Sequence, residues 1–386
     1  MLKPDYETGS IVNLMASLAQ SMGASTNPYA PLSSLNSKQL AESQNLILLV
    51  IDGLGYEFLQ KYRQDSFIAQ HIKQSLTSVF PSTTATAITA FATALPAQQH
   101  AITGWYMYFK EIKQVMAVLP FTPRGEGRKD FTFEEMQQVI NLPTPLVNRI
   151  NRQSFVINPR FIAESNYNRL ISGKAQRIGY DSLEQCFSQI KQTCQQNKEK
   201  KYIYAYWPEF DACCHENGTA HEKTMALFKT LDVGFERLIE SLSGENFQLI
   251  LTADHGLINA SEENTILLND YPAIRDCLAQ PLCGEPRAAY CYVKPELQQQ
   301  FENRVKQELG VFCDLYKVEE LIEQHYFGLH QPSSLLSQRL GNYVLLMKNN
   351  FIIRDFLEDE KKFTQTGVHG GLSPEELLVP LAQFGS

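Results

Sequence analysis

Three short apolar runs dominate the hydrophobic pattern: Leu46-Ile-Leu-Leu-Val-Ile51, Lys201-Tyr-Ile-Tyr-Ala-Tyr206 and Phe247-Gln-Leu-Ile-Leu-Thr252. Each is too short to span a membrane and too continuous to be half-exposed, which is how strands buried on both faces read. Between them the spacing turns helical. Residues 10–22 place apolar side chains one turn apart with Gly23 at the end, and the Ala/Thr-rich stretch after Pro81 predicts a helix to about Thr93. Residues 56–63, 180–198 and 221–242 read as further helices, the last with Leu227, Leu231, Phe235 and Leu238 on one face. Strand–helix–strand alternation predicts right-handed crossovers and an α/β fold, a mostly parallel central sheet flanked by helices.

Other segments read differently. Residues 25–43 form a polar connection, Trp105 to Phe109 is aromatic and extended, and 120–145, with Arg124, Gly125 and Gly127, reads as loop or insertion. Residues 264–361 offer strands at 287–293 and 343–347, helices at 296–309 and 318–324, and a short segment at 311–316. They predict a small α/β insertion or cap, leaving 1–263 and 362–386 as the core. Ser373-Pro-Glu-Glu opens a late helix with a good N-cap and proline at the first helical position.

Composition narrows the class. The 386 residues are 44% hydrophobic and 20% charged with a net charge of −8, and their basic cluster is only Lys198-Glu-Lys-Lys201. That excludes a long nucleic-acid groove. No run reaches the roughly 18 apolar residues of a membrane span. The start, Met1-Leu-Lys-Pro-Asp-Tyr-Glu7, lacks a basic region followed by an apolar one, and the eight cysteines lack CxxC pairs. The expectation is a cytoplasmic protein with reduced thiols, in which Cys213 and Cys214 serve packing. The sequence leaves the oligomeric state open.

Chemistry enters at the strand ends. The first run stops at Asp52, followed by Gly53 and Gly55; the second leads to Asp211 and His215; the third to Asp254 and His255. Singly, each is an Asp-Gly turn or a hydrogen-bonded histidine. In a parallel sheet, however, ligands bind beyond the carboxyl ends of the strands, and all five residues converge there. His369, beside glycines late in the chain, is the obvious sixth ligand. Carboxylate and neutral imidazole suit Zn²⁺ first, with Mn²⁺ or Fe as alternatives, and six ligands suit two ions. Such a pair activates an attacking oxygen and holds a leaving one. Ser82, Thr83 and Thr84, at a helix N-terminus, supply a nucleophile beside it. Phosphoryl transfer is the reaction class that uses these parts together.

These motifs, in this order, resemble those of the alkaline phosphatase superfamily, type I phosphodiesterase/nucleotide pyrophosphatase branch: the Asp-Gly after the first strand, Phe-Pro-Ser-Thr-Thr, Asp-x-x-x-His, Asp-His-Gly and the late Gly-x-His-Gly. The resemblance covers the core and implies two ligand sets. Asp211, His215 and His369 would hold one divalent ion, and Asp52, Thr84, Asp254 and His255 the other. It also implies the nucleophile, because family members place a Thr-Gly pair nine residues beyond it. Thr93-Ala94 stands for that pair here, so Thr84 is the nucleophile and Thr83 the second choice. His100 then matches the histidine of the family's Pro-x-x-His turn.

Two departures bear on substrate. The asparagine that helps hold the phosphoryl oxygens in pyrophosphatases is replaced by Trp105, and the sulfatase Cys-x-Pro-Ser-Arg is absent. Arg124, Arg160 and Arg287 are candidate phosphoryl contacts by charge, and surface solvation is the expectation for each. Trp105, Tyr106 and Trp207 are candidates to stack on a nucleobase. The expected activity is hydrolysis of phosphodiester or phosphoanhydride bonds in a small phosphorylated substrate such as a nucleotide, through a phospho-threonine. The alternatives are a phosphomonoesterase or phosphonate hydrolase, and a non-catalytic metal-binding protein of the same fold.

Overall fold

The computed structural model describes residues 2–24, 27–358, 360 and 364–385, so the start of the 25–43 connection and the 361/362 boundary lie outside the described residues. The Asn45–Ile51 strand is buried at every position. It runs parallel between Lys201–Trp207 and Phe247–Thr252 in matched register, Leu49 facing Ala205 on one side and Leu251 on the other. The three strands therefore end together. Asp52 extends the ladder by one step, its N–H donating to the Trp207 carbonyl at 3.0 Å.

These strands form the middle of a seven-stranded sheet. Its order is Ile72–Thr77, Leu378–Gly385, Phe247–Thr252, Asn45–Ile51, Lys201–Trp207, Gln153–Pro159 and Gln176–Tyr180. The last five run parallel, and Leu378–Gly385 is antiparallel to both its neighbours. Helices Ile11–Ser21, Leu183–Gln195 and Glu222–Ser241 pack into the core around the sheet. The fold is thus α/β with a mostly parallel sheet flanked by helices, as expected. On Glu222–Ser241 the buried line is Phe228, Leu231, Phe235 and Leu238. Leu227 sits half-buried at its margin, because Phe228 takes the inward direction.

Four segments differ from expectation. The 120–145 stretch contains the helix Phe133–Ile140, capped reciprocally by Thr132 and Glu135 and burying Met136, Val139 and Ile140. The residues after Trp207 form the helix Glu209–Asn217, which sets Asp211 and His215 one turn apart. The expected 296–309 helix is broken into a 3-10 turn, the α-helix Gln298–Arg304 and a π turn. After one helical turn, Pro374–Leu377, the chain ends as the strand Leu378–Gly385.

A second, wholly antiparallel sheet also has seven strands, in the order Cys313–Lys317, Tyr343–Met347, Ala288–Cys291, Cys283–Glu285, Tyr106–Phe109, Gln114–Ala117 and Thr122–Pro123. Four of these come from the 264–361 insertion and three from 106–123. The two groups meet where Gly284 pairs with Tyr106. Backbones crowd there: a Cβ on Gly104 would lie 2.7 Å from Gly284 Cα. This junction brings Trp105 and Glu285 together at the carboxyl end of the core sheet.

Candidate active site

Because the three central strands end together, Asp52, Asp254 and His255 meet directly. His255 Nε2 lies 3.4 Å from Asp52 Oδ1 and 3.4 Å from Asp254 Oδ2. The Glu209–Asn217 helix adds Asp211, whose Oδ2 is 3.0 Å from His215 Nε2. The loop before the last strand brings in His369, stacked on His255 with ring centroids 3.8 Å apart and 5.2 Å from the His215 ring. Ligand atoms of Asp52, Asp254 and His255 cluster within 4.8 Å of one another, as do those of Asp211, His255 and His369. His255 is common to both clusters.

Close approach of backbone makes this convergence possible. Gly53 has φ +73°, and a Cβ there would lie 2.9 Å from Asp211 Cβ. Its N–H and that of His255 both donate to Asp254 Oδ1, at 3.1 and 3.0 Å.

Each histidine is held in one orientation. Nδ1 of His215, His255 and His369 contacts the carbonyl of Gly367, Gly256 and Ser82 respectively, at 2.7, 3.0 and 3.1 Å. A carbonyl can only accept, so Nδ1 carries a proton in all three; His255 and His369 are left with a free Nε2 lone pair, whereas His215 Nε2, 3.0 Å from Asp211 Oδ2, holds a proton as well in the absence of a cation. Metal-ligating imidazoles are commonly oriented this way. Asp52 Oδ1, Asp211 Oδ1 and Asp254 Oδ2 are meanwhile buried without a hydrogen-bond partner among the described residues. An unpaired buried carboxylate oxygen is costly, and a cation is what satisfies it. The donor set fits a pair of divalent ions.

Electrostatics point the same way. Burial, then the charges of Asp254 and Asp211, hold the Asp52 carboxyl well above its ordinary value, and burial also raises Asp254. Burial would raise Asp211 too, but His215 and the other two imidazoles keep it below the usual carboxylate range. His215 is pushed up to about 9, Asp211 outweighing burial, whereas burial and His255 press His369 far down. Such opposed shifts mark a group of ligands short of positive charge.

The helix Thr84–Thr93 points its N-terminus at this cluster. None of the three hydroxyls before or at its start caps it. Ser82 Oγ donates to Gly371 O at 2.8 Å, and Thr83 Oγ1 donates to Glu285 Oε1 at 2.6 Å. Thr84 Oγ1 lies 3.2 Å from His255 Nε2, on the wall of the cavity. Two of the three candidate nucleophiles are thus committed elsewhere.

The cavity has a volume of about 840 Å³. Its lining joins Asp52, Asp211, His215 and His369 to the apolar and aromatic side chains of Trp105, Tyr106, Leu119, Phe161, Ile162 and Tyr167. Trp105 lines it and is 38% exposed. Trp207 is brought elsewhere: its side chain is fully buried in the core, while Tyr204 and Tyr206 of the same strand line the cavity. The alternation of strand side chains turns Trp207 away, so it has no face to offer a base.

Two arginines also depart from the expected surface setting. Arg124 is buried in the cavity wall between Asp355 and Glu360 with its guanidinium over the Tyr106 ring, and Arg287 is buried against Glu376. Arg160 is the exposed one, paired with Asp181. His100 is buried away from the cavity, Nδ1 accepting from Ile102 N–H at 3.0 Å. Three further residues at the site were missed by the sequence reading. Tyr206 donates its hydroxyl to Asp52 Oδ2, Glu285 is buried beside Thr83, and Arg354 lines the wall. The Tyr206 signal was within reach, since Tyr206 pairs with Val50 and strand alternation puts Val50, Asp52 and Tyr206 on one face.

All eight cysteines are free, and neither Cys213 nor Cys214 belongs to a ligand cluster. No helix among the described residues is long and apolar enough to cross a membrane.

Residues 46–372 match the model of a protein family described as type I phosphodiesterase/nucleotide pyrophosphatase. Comparison with curated protein sequences finds no match. Among solved structures the chain is similar to murine ectonucleotide pyrophosphatase/phosphodiesterase 5, with TM-score 0.65 and 19% identity over 88% of each chain. The human counterpart gives TM-score 0.66 and 18% identity over 89% of this chain and 88% of that one. Phosphonoacetate hydrolase from Sinorhizobium meliloti, in complex with phosphonoformate, gives 0.61 and 16% over 88% and 90%. At these identities the likeness establishes the fold.

Proposed function

The chain belongs to the type I phosphodiesterase/nucleotide pyrophosphatase family of phosphate-ester hydrolases, and from that premise we propose that it cleaves phosphodiester or phosphoanhydride bonds through a phospho-threonine at Thr84. The observation that carries this reading is Thr84 Oγ1, 3.2 Å from His255 Nε2 and beside three unpaired carboxylate oxygens. Asp52, Asp254, His255 and Thr84 would hold one divalent ion, and Asp211, His215 and His369 the other. Carboxylate and neutral imidazole favour zinc, with manganese or iron as alternatives. When bound, the pair supplies Lewis acidity and balances the charge that develops on oxygen.

The chain's own residues do the rest. Tyr206 holds Asp52 by its hydroxyl, and the three backbone carbonyls hold each imidazole with Nε2 inward. Thr84 Oγ1, its proton passing to water in the cavity, attacks phosphorus in line. The new O–P bond forms as the bond to the leaving oxygen breaks, and that oxygen departs with the electron pair. Uncapped N–H groups at the start of the Thr84–Thr93 helix face the negative phosphoryl oxygens. Water arriving on the opposite side, where Asp211, His215 and His369 lie, cleaves the phospho-threonine and restores the hydroxyl.

A small phosphorylated substrate, such as a nucleotide, suits the cavity, with Trp105 and Tyr106 as its aromatic wall. An inactive variant of the murine structural neighbour was solved with AMP. Residues 264–361 act as the cap, and the eight free thiols support a cytoplasmic setting. Turnover of bis-p-nitrophenyl phosphate against p-nitrophenyl phosphate by metal-loaded protein tests the reading. Preference for the diester is expected; preference for the monoester would replace it with a phosphomonoesterase or phosphonate hydrolase on the same site.

A further inference from the structure

Glu285 is a carboxylate that the reaction just described does not use, yet it lines the same cavity as Thr84, Asp211 and His369. It ends the Cys283–Glu285 strand of the second sheet and is almost fully buried. Its backbone surroundings fix it in place: a Cβ on Gly370, next to His369, would lie 2.5 Å from Glu285 Cβ. Both hydrogen bonds it accepts end on Oε1, from Thr83 Oγ1 at 2.6 Å and Trp105 N–H at 2.7 Å. Those partners are the residue before the proposed nucleophile and the residue standing where pyrophosphatases carry their phosphoryl-binding asparagine.

Both hydrogen-bond donors are neutral, and among the described residues Glu285 makes no ion pair; Arg354, the guanidinium on the same wall, feels its charge only from a distance. This contrasts with Arg124 on the same wall, which Asp355 and Glu360 neutralise. Oε2 has no protein donor among the described residues. A phosphoryl group reaching Thr84 therefore enters a cavity whose wall carries this carboxylate, ionised above about pH 7, as well as the metal ligands. Beside a buried carboxylate such repulsion is screened less than in open water, and it grows with the charge of the incoming group. A phosphomonoester brings two negative charges above about pH 6, and a diester brings one.

We propose that Glu285 is a specificity-determining residue, whose carboxylate disfavours doubly charged phosphoryl groups at Thr84 and so selects singly charged diesters. This rests on the phosphodiesterase reading above. Trp105 contributes by its backbone, its N–H donating to Glu285 Oε1.

The test compares kcat/KM for bis-p-nitrophenyl phosphate and p-nitrophenyl phosphate in wild type, Glu285→Gln and Glu285→Ala. Burial pushes the Glu285 carboxyl up to about 7, so the assay is run near pH 9, where it is ionised. The glutamine keeps an acceptor for Thr83 and Trp105, and the alanine removes the same charge should the glutamine variant fail to fold. In either variant the diester-to-monoester ratio is expected to fall by about tenfold or more, through a rise in monoester turnover. An unchanged ratio, with both rates falling together, would reduce Glu285 to a structural prop, and a raised ratio would overturn the proposal outright. A wild type that prefers the monoester instead overturns the diesterase reading, while the shift on removing the charge still decides the role of Glu285. Wild-type protein inert on both substrates overturns the two together.

Discussion

Arg287 and Glu376 form a two-pronged buried ion pair, Nε to Oε1 and Nη2 to Oε2, both at 3.1 Å. The pair fastens the second sheet to the loop that carries His369. Glu376 Oε1 also accepts Gly371 N–H at 2.8 Å, the Gly371 carbonyl accepts from Ser82, and the Ser82 carbonyl accepts from His369 Nδ1. Replacing one partner strands the other charge in the interior. Glu376→Ala is expected to cost about 3–5 kcal/mol, and replacing both partners by apolar residues to recover part of it. Urea denaturation of the two variants measures this; a loss below about 1 kcal/mol would show that the pair contributes little.

Thr84 and Thr83 are neighbours with different partners, His255 for one and Glu285 for the other. Thr84→Ala should lower kcat by roughly 10³-fold or more, measured on protein loaded with metal to the same content as wild type. Thr83→Ala should retain most of its activity. A fully active Thr84→Ala protein would exclude it as the nucleophile.

His100 gives a pH signature separate from the metals. Burial, then the Arg339 charge, lowers its imidazole to about 3, whereas the unfolded side chain titrates near 6.5. The folded state therefore holds it neutral. Its contribution to stability is present above about pH 6.5 and is lost as pH falls through the interval towards 3. Between about pH 7.5 and 5 wild type should lose about 2 kcal/mol that a His100→Gln variant does not. Equal losses in both proteins would remove His100 as the cause.

The centre of this molecule was readable because its signals are local and repeated. Three apolar runs each end in ligand-type residues, and the parallel register of Leu49 with Ala205 and Leu251 makes those ends coincide. The Phe133–Ile140 helix was also legible, since Thr132-Phe-Glu-Glu135 is a capping box; the flanking glycines and prolines masked it. What stayed hidden depends on long-range pairing. Glu285 reaches Thr83 only because Gly284 pairs with Tyr106 across about 180 residues of chain, a separation no local pattern reports. Trp207 misled for a related reason: one step along a strand reverses the face, so Tyr206 reached the site and Trp207 the core.

The most direct measurement is anomalous diffraction at the zinc edge from crystals of zinc-loaded protein. Two peaks are expected, one among Asp52, Asp254, His255 and Thr84 and the other among Asp211, His215 and His369, roughly 3.5–4 Å apart as in other two-metal sites. A single peak, or none at these residues, would contradict the two-metal phosphodiesterase.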